Sequence, residues 1–148
     1  MKFPVSIKGV LVEAGRVVLL ENERDEWELS GRRPNPAKPP ETCLVREFAE
    51  ELGSTVEVAH IIDCWVYEVL PEREVVIITF GVKRRDEGEL RISDEHRRFG
   101  FFMASTARSA LVDSEQTCDI SERLHTEVIR FGNCSGSNCI RNGIAAAS

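Results

Sequence analysis

A proline-rich segment that leads directly into an amphipathic helix is the feature that most constrains this fold. Residues 30–40 contain four prolines, so they cannot form a regular helix or a central strand, because each proline fixes φ and lacks a backbone donor. Residues 40–52 then carry apolar side chains at four-residue intervals, the pattern of a helix with one buried face. These side chains are Leu44, Phe48 and Leu52. Gly53 is placed to end the helix in the left-handed conformation.

Apolar, β-branched runs lie on both sides of this segment and predict strands. The predicted strands cover residues 5–12, 16–20, 27–29, 56–70, 75–82 and 99–103. The two long strands are apolar on both faces, which suggests a sheet that is covered on both sides. A weaker amphipathic helix is predicted over residues 120–131, and a Gly-, Ser- and Asn-rich tail over 133–148. We therefore expect one α/β domain over residues 1–132, with a mixed sheet between helices.

Composition and charge exclude several classes of protein. The 148 residues include 25 acidic side chains against 19 Lys and Arg, a formal net charge of −6. The composition therefore lacks the excess of Lys and Arg that stable binding to nucleic acid or to a membrane surface requires. No apolar run approaches the ~20 residues of a membrane span, and the N-terminus lacks a signal-peptide core, so a cytoplasmic protein is expected. The five cysteines are scattered without metal-site spacing, which favours reduced thiols.

Three glutamates on the predicted helix carry the chemical signal. Glu47, Glu50 and Glu51 are spaced i, i+3 and i+4, which places them on one helix face. They lie near the C-terminal end, where the helix dipole disfavours negative charge. Oxygen donors on a rigid face suit Mg²⁺ or Mn²⁺. The alternative is an acidic helix face that is only solvated, since charge runs on helices are common.

The eight residues Arg46-Glu47-Phe48-Ala49-Glu50-Glu51-Leu52-Gly53 resemble the second half of the Nudix box, R-E-U-x-E-E-x-G. The order of the flanking strands is also similar to that of the family. The resemblance implies an α/β/α sandwich and a hydrolase that cleaves nucleoside diphosphate derivatives with Mg²⁺ or Mn²⁺. It implies that Glu47, Glu50 and Glu51 bind the metal and that Arg46 orients one of these carboxylates. Many members of the family dimerise, so a homodimer is an expectation of the resemblance.

The first half of the box departs from the family pattern. When Arg46 sets the register, Arg32 stands at the box glycine and Lys38 at the box glutamate, while Ser54 replaces an aliphatic residue. Gly31 precedes the expected glycine position by one residue. Three interpretations stay open: tolerated loop changes, a site with lowered metal affinity and activity, or basic side chains, Arg33 included, that contact substrate phosphate.

Further candidates follow from position in the resemblance. Glu95 lies where many family members place a loop acid that binds metal or acts as a base, and it is assigned a catalytic role. Arg24, Trp27, Arg32 and Lys38 are the candidate substrate-binding residues. The rival functions are a nucleotide-binding or regulatory module that has lost catalysis, and a structural or interaction domain with an incidental acidic helix.

Overall fold

A seven-stranded mixed sheet organises residues 3–111, the part of the chain that the computed structural model describes. The strands are β1 (Val5–Glu13), β2 (Arg16–Glu21), β3 (Trp27–Glu28), β4 (Ser30–Arg32), β5 (Val56–Leu70), β6 (Arg73–Arg84) and β7 (Arg98–Phe102). Two helices are described, α1 (Pro40–Leu52) and α2 (Ala104–Ala110). The helix predicted over 120–131, the tail from 133 and Cys118, Cys134 and Cys139 lie outside the described residues.

The sheet is mixed because β1 pairs in both directions. It runs parallel to β6 and antiparallel to β2 and β4, and the strand order is β3-β2-β1-β6-β5. β7 adds to β2 in an antiparallel ladder. The predicted α/β class with a mixed sheet is confirmed.

Each face of the sheet carries its own apolar cluster. Along β2, Val18 and Leu20 belong to the cluster that contains Phe48 of α1, whereas Val17 and Leu19 belong to the cluster that contains Ala107 of α2. This division follows from the two-residue period of a strand, which sends neighbouring side chains to opposite faces. The helices therefore cover opposite faces of the sheet.

Helix α1 has the predicted bounds and the predicted end. Pro39 and Pro40 begin it without a side-chain cap, and Gly53 ends it in the left-handed conformation at φ 61°. Phe48, Leu44 and Leu52 are almost completely buried against the sheet. Burying a side chain such as Phe48 contributes about 2–3 kcal/mol, so packing fixes the helix on the sheet more strongly than propensity does.

The first three residues of the segment 30–40 form a short strand that the sequence did not predict. It is not a central strand, because it pairs with β1 alone. Ser30–Arg32 forms β4 and pairs with Gly9, Lys8 and Ile7 of β1. The prolines begin only at Pro34, so they leave this short pairing intact. A Cβ on Gly31 would lie 1.9 Å from the Ile7 carbonyl oxygen, so only glycine permits this approach.

The expectation that the long strands are covered on both sides is wrong for part of β5. This strand lies at the edge of the sheet, and four of its apolar side chains are exposed: Ile61, Val66, Val69 and Leu70. Helix α2 was not anticipated from the sequence. Cys43 and Cys64 are free thiols, as expected. Within residues 3–111, no helix is long and apolar enough to cross a membrane.

Candidate functional site

Two of the three glutamates on α1 are buried. Glu47 is 1% exposed and Glu51 is 5% exposed, although the helix otherwise buries only apolar side chains. Glu50 lies further out, with its side chain 54% exposed. Glu47 and Glu51 are therefore not part of a solvated acidic surface. Carboxylates are seldom buried in this way unless they are paired.

Glu47 has a carboxylate oxygen that accepts no hydrogen bond. Its Oε1 lies 3.4 Å from Nε of Arg32 and 3.6 Å from Nη2 of Arg46, too far for an ordinary hydrogen bond. Burial raises the pKa of Glu47, and the charge of Arg32 opposes that rise. Two cations thus attract this oxygen, but neither donates a hydrogen bond to it.

Glu51, one helical turn from Glu47, is held in place by Ser30. The Ser30 hydroxyl of β4 donates a hydrogen bond to Glu51 Oε2. Burial raises the pKa of Glu51 to about 7, against the lowering effects of this hydrogen bond and of the His96 charge. The short strand β4 therefore positions both Ser30, beside Glu51, and Arg32, beside Glu47.

Arg46 links the buried and exposed carboxylates. Its Nη2 reaches Glu47, and its Nε lies 3.7 Å from Oε1 of Glu50, one turn along the helix. The arginine and both carboxylates are on α1, so their spacing is set by the helix itself. Arg46 therefore lies within 4 Å of both carboxylates.

The loop that precedes β7 is docked on the C-terminal end of α1. The backbone N–H of Arg91 donates to the Leu52 carbonyl, and that of Ser93 donates to the Glu51 carbonyl at 3.0 Å. This docking brings Glu95 within reach of Arg32, whose Nη2 lies 3.8 Å from Glu95 Oε1. The role of Glu95 as a metal ligand or base stays a prediction.

The same loop supplies His96, which pairs with Glu28 of β3. The His96 Nε2 to Glu28 Oε1 distance is 2.9 Å, and this hydrogen bond raises the pKa of His96 above its usual value. Burial raises the pKa of Glu28, but the His96 hydrogen bond and the Lys8 charge outweigh it, so that the net shift is downward. His96 Nδ1 is buried and has no hydrogen-bond partner.

A cleft of about 740 Å³ opens over these side chains. Its lining residues are Asn22, Glu23, Arg24, Glu28, Gly31, Arg32, Glu51, Glu95 and His96. Arg24 comes from the loop between β2 and β3, which Asn22 shapes by accepting hydrogen bonds from the N–H groups of Arg24 and Glu26. Glu51 of α1, Glu95 of the loop before β7, and the cationic side chains Arg24 and Arg32 therefore face one concave space.

Two candidate substrate residues lie outside this lining. Trp27 packs edge-on against Phe102 at a centroid distance of 4.7 Å, and the Arg98 guanidinium lies over its ring at 5.1 Å. Lys38 is exposed in a turn in which its N–H donates to the Asn35 carbonyl. Their roles as substrate contacts stay predictions.

The donor set fits a divalent metal ion, although the side chains are not gathered as a finished cage. Within residues 3–111, no three His, Cys, Asp or Glu side chains converge closely enough to hold an ion as they stand. The buried, unpartnered Oε1 of Glu47 and the nearby carboxylate of Glu51 nevertheless offer hard oxygen donors, the type that Mg²⁺ and Mn²⁺ prefer. Mg²⁺ also retains waters and needs few protein ligands.

The sequence over residues 2–116 matches the NUDIX domain family. The chain belongs to the Nudix family. The match includes the acidic segment of α1, the loop before it and the cleft-lining residues. No curated protein matches the chain by sequence.

Solved structures confirm the Nudix fold. A UDP-X diphosphatase is similar at a TM-score of 0.71 and 17% identity over 88% of this chain, which spans only 64% of that protein. A MutT protein from Methanosarcina mazei Go1 is 25% identical, with a TM-score of 0.69 over 84% of this chain and 94% of its own. A C. elegans Ap4A hydrolase is 14% identical, with a TM-score of 0.68 over 86% of this chain and 99% of its own.

Sequence reasoning missed three polar residues of this Nudix cleft. They are Ser30, Glu28 and His96. Ser30 donates to Glu51, and His96 pairs with Glu28, so each hydrogen bond joins residues that are distant in the chain. No local pattern signals such pairs. One indirect signal exists. Glu28 and Ser30 flank the buried Leu29, and neighbouring residues of a strand face opposite sides, so both point away from the side that Leu29 faces.

Proposed function

We propose that this Nudix protein is a metal-dependent pyrophosphohydrolase that cleaves nucleoside diphosphate derivatives. The observation that supports this most directly is the buried Glu47 oxygen that accepts no hydrogen bond. It lies next to Arg32 and one helical turn from Glu51, both of which line the cleft. Such burial costs stability and persists where function requires it. The similar UDP-X diphosphatase and Ap4A hydrolase are themselves named for the hydrolysis of phosphoanhydrides.

The proposed metal ligands are Glu47, Glu50 and Glu51. Mg²⁺ or Mn²⁺ held by these carboxylates would neutralise diphosphate charge and would lower the pKa of a water molecule. Arg46 orients Glu47, because its guanidinium spans Glu47 and Glu50. Glu95, 65% exposed at the cleft, accepts a proton from the attacking water.

Arg24 and Arg32 are the proposed phosphate contacts. Both line the cleft, and the Arg24 side chain is 76% exposed, so its charge is available to an anionic substrate. Guanidinium groups bind phosphate oxygens in a bidentate manner, which aligns a diphosphate as well as attracting it.

A screen of candidate substrates tests this function. Nucleoside triphosphates, ADP-ribose, nucleotide sugars and dinucleoside polyphosphates are each incubated with the protein and Mg²⁺ or Mn²⁺, and product release is measured. We expect turnover on at least one substrate, lost when metal is chelated and lost in Glu47→Gln. The matched control is Glu41→Gln, an exposed change on the first turn of the same helix. Absence of turnover on the whole panel would remove the proposal.

One observation favours a second candidate, a non-catalytic nucleotide-binding module. Arg32 lies between Glu47 and Glu95, where its charge opposes that of a metal ion. Nucleotide binding without hydrolysis, measured by calorimetry on the same panel, would support this candidate. Recovery of turnover in Arg32→Gly with Lys38→Glu would then identify these two residues as the cause of the loss.

Cytoplasmic location and a homodimer stay predictions. A sedimentation measurement decides the oligomeric state. The substrate panel is broad because specificity within a fold depends on side chains around the site and not on the fold.

A further inference from the structure

We propose that Arg32 is the resident counter-ion of the carboxylate site and that its guanidinium has to leave Glu47 when a divalent metal ion binds. Arg32 then competes directly with the metal and weakens metal binding in the absence of substrate. This inference rests on the proposed function, because it assumes that Glu47 is a metal ligand.

The contacts of Arg32 are electrostatic and loose. Its Nε is 3.4 Å from Glu47 Oε1 and its Nη2 is 3.8 Å from Glu95 Oε1, both longer than a charge-assisted hydrogen bond. The side chain is 47% exposed, whereas that of Glu47 is 2% exposed. A half-exposed guanidinium at these distances gains little from each pair, so it can leave at small cost.

The backbone under Arg32 is fixed, so only the side chain can move. Arg32 pairs with Ile7 in the β4–β1 ladder. The preceding residue, Gly31, approaches the Ile7 carbonyl so closely that no side chain fits there. The guanidinium therefore leaves the carboxylates by rotation of its side chain, and it remains beside the cleft that it already lines.

Glu47 shows why the competition is direct. Its Oε1 is buried and accepts no hydrogen bond, although Arg32 and Arg46 both lie within 4 Å of it. Arg46 lies on the same helix as Glu47, whereas Arg32 comes from a strand across the site. Of these two cations, Arg32 is the one that lines the cleft, so it stands between Glu47 and an ion that enters from the cleft.

Manganese binding to the tag-free protein tests the inference without reference to activity. Free Mn²⁺ is measured by electron paramagnetic resonance during titration of wild type, Arg32→Gln and Arg33→Gln. Arg32→Gln removes the ion pair that the metal ion has to break. An exposed pair of this kind is worth up to about fivefold in a binding constant, so Mn²⁺ binding should tighten by about two- to fivefold. Arg33→Gln is the matched control: it removes the same charge from the next residue, for which no ion pair with Glu47 is found in residues 3–111, so Mn²⁺ affinity should stay at the wild-type value.

Arg32→Lys distinguishes charge from shape, since it keeps the cation and should retain the weak wild-type affinity. Equal affinity in wild type and Arg32→Gln would overturn the inference. No Mn²⁺ binding by either protein would overturn it together with the metal site. Mn²⁺ binding can be tighter in Arg32→Gln while the substrate panel shows no turnover. That result would support the inference and remove only the proposed hydrolysis.

Discussion

At the scale of single residues, two buried carboxylates carry an electrostatic cost that the surrounding cations reduce only in part. Glu47 relies on distant guanidinium groups, and Glu51 relies on one hydroxyl from Ser30. Removing a carboxylate from water is expensive unless it is well paired. The proposed metal site would explain why this cost is retained.

Glu51→Gln should remove a pH dependence from the stability of the metal-free protein. Burial raises the pKa of Glu51 from 4.5 to about 7, so the folded state binds its proton more tightly than the unfolded state does. Stability therefore falls as pH rises from about 4.5 to 7, by about 3 kcal/mol at most. With chelator present, Glu51→Gln should gain stability relative to wild type across this window.

Urea unfolding at pH 5, 6, 7 and 8 measures this difference. Glu41→Gln serves as the control, because it changes an exposed glutamate of the same helix. If the free energies of wild type and Glu51→Gln run parallel over the whole range, the burial account of Glu51 is wrong.

At the scale of elements, the short strand β4 holds the site together. It carries Ser30 and Arg32 to the two buried glutamates, and its pairing with β1 depends on Gly31. A strand of three residues has few backbone hydrogen bonds of its own, so loss of this close approach should release both contacts.

Gly31→Ala should therefore destabilise the fold by about 2–3 kcal/mol, because the new Cβ would meet the Ile7 carbonyl at 1.9 Å. Gly88→Ala is the matched control, since a Cβ at that glycine meets no atom within 4 Å. Urea unfolding provides both values. Equal stability of the two variants would show that β4 adjusts without cost.

Arg84 ties the ends of three strands to one loop. Its Nη1 donates to Glu13 of β1 at 2.8 Å and its Nε donates to Asp86 at 2.9 Å, while Asp86 accepts from the Thr55 N–H at the start of β5. The side chain is only 14% exposed. This arrangement joins the C-terminal ends of β1 and β6 to the start of β5.

Arg84→Met should cost about 2 kcal/mol, because it leaves two partly buried carboxylates without their cation. Arg85→Met removes the neighbouring arginine, whose ion pair with Glu57 is exposed, and should change stability by less than about 0.5 kcal/mol. Thermal or urea unfolding of both variants measures the contrast. A similar loss in both would mean that the Arg84 contacts add nothing specific.

At the scale of the whole molecule, local patterns predicted the elements, and tertiary contacts decided the rest. The bounds of α1 and its end at Gly53 were predictable because they depend on apolar spacing, proline and glycine within one segment. β4 was missed because its three residues become a strand only through β1. The exposed side chains of β5 were missed because an edge position is a property of the assembled sheet.

The site divides in the same way. The motif singled out three acids as candidate metal ligands, and it placed Arg32 at a position where the family has glycine. It did not predict that Glu47 and Glu51 are buried while Glu50 is exposed, since all three share one helix face by spacing alone. The pairing of His96 with Glu28 joins residues 68 positions apart, which no local pattern contains.

The most direct test of the central claim is the rate of phosphoanhydride cleavage by wild type, Glu47→Gln and Glu41→Gln along one Mg²⁺ series. The substrate is the best one from the panel. We expect turnover that rises and saturates with Mg²⁺ in wild type and Glu41→Gln, and that falls on the order of 100-fold or more in Glu47→Gln. Equal turnover in wild type and Glu47→Gln would contradict the assignment of the buried carboxylates as the catalytic centre.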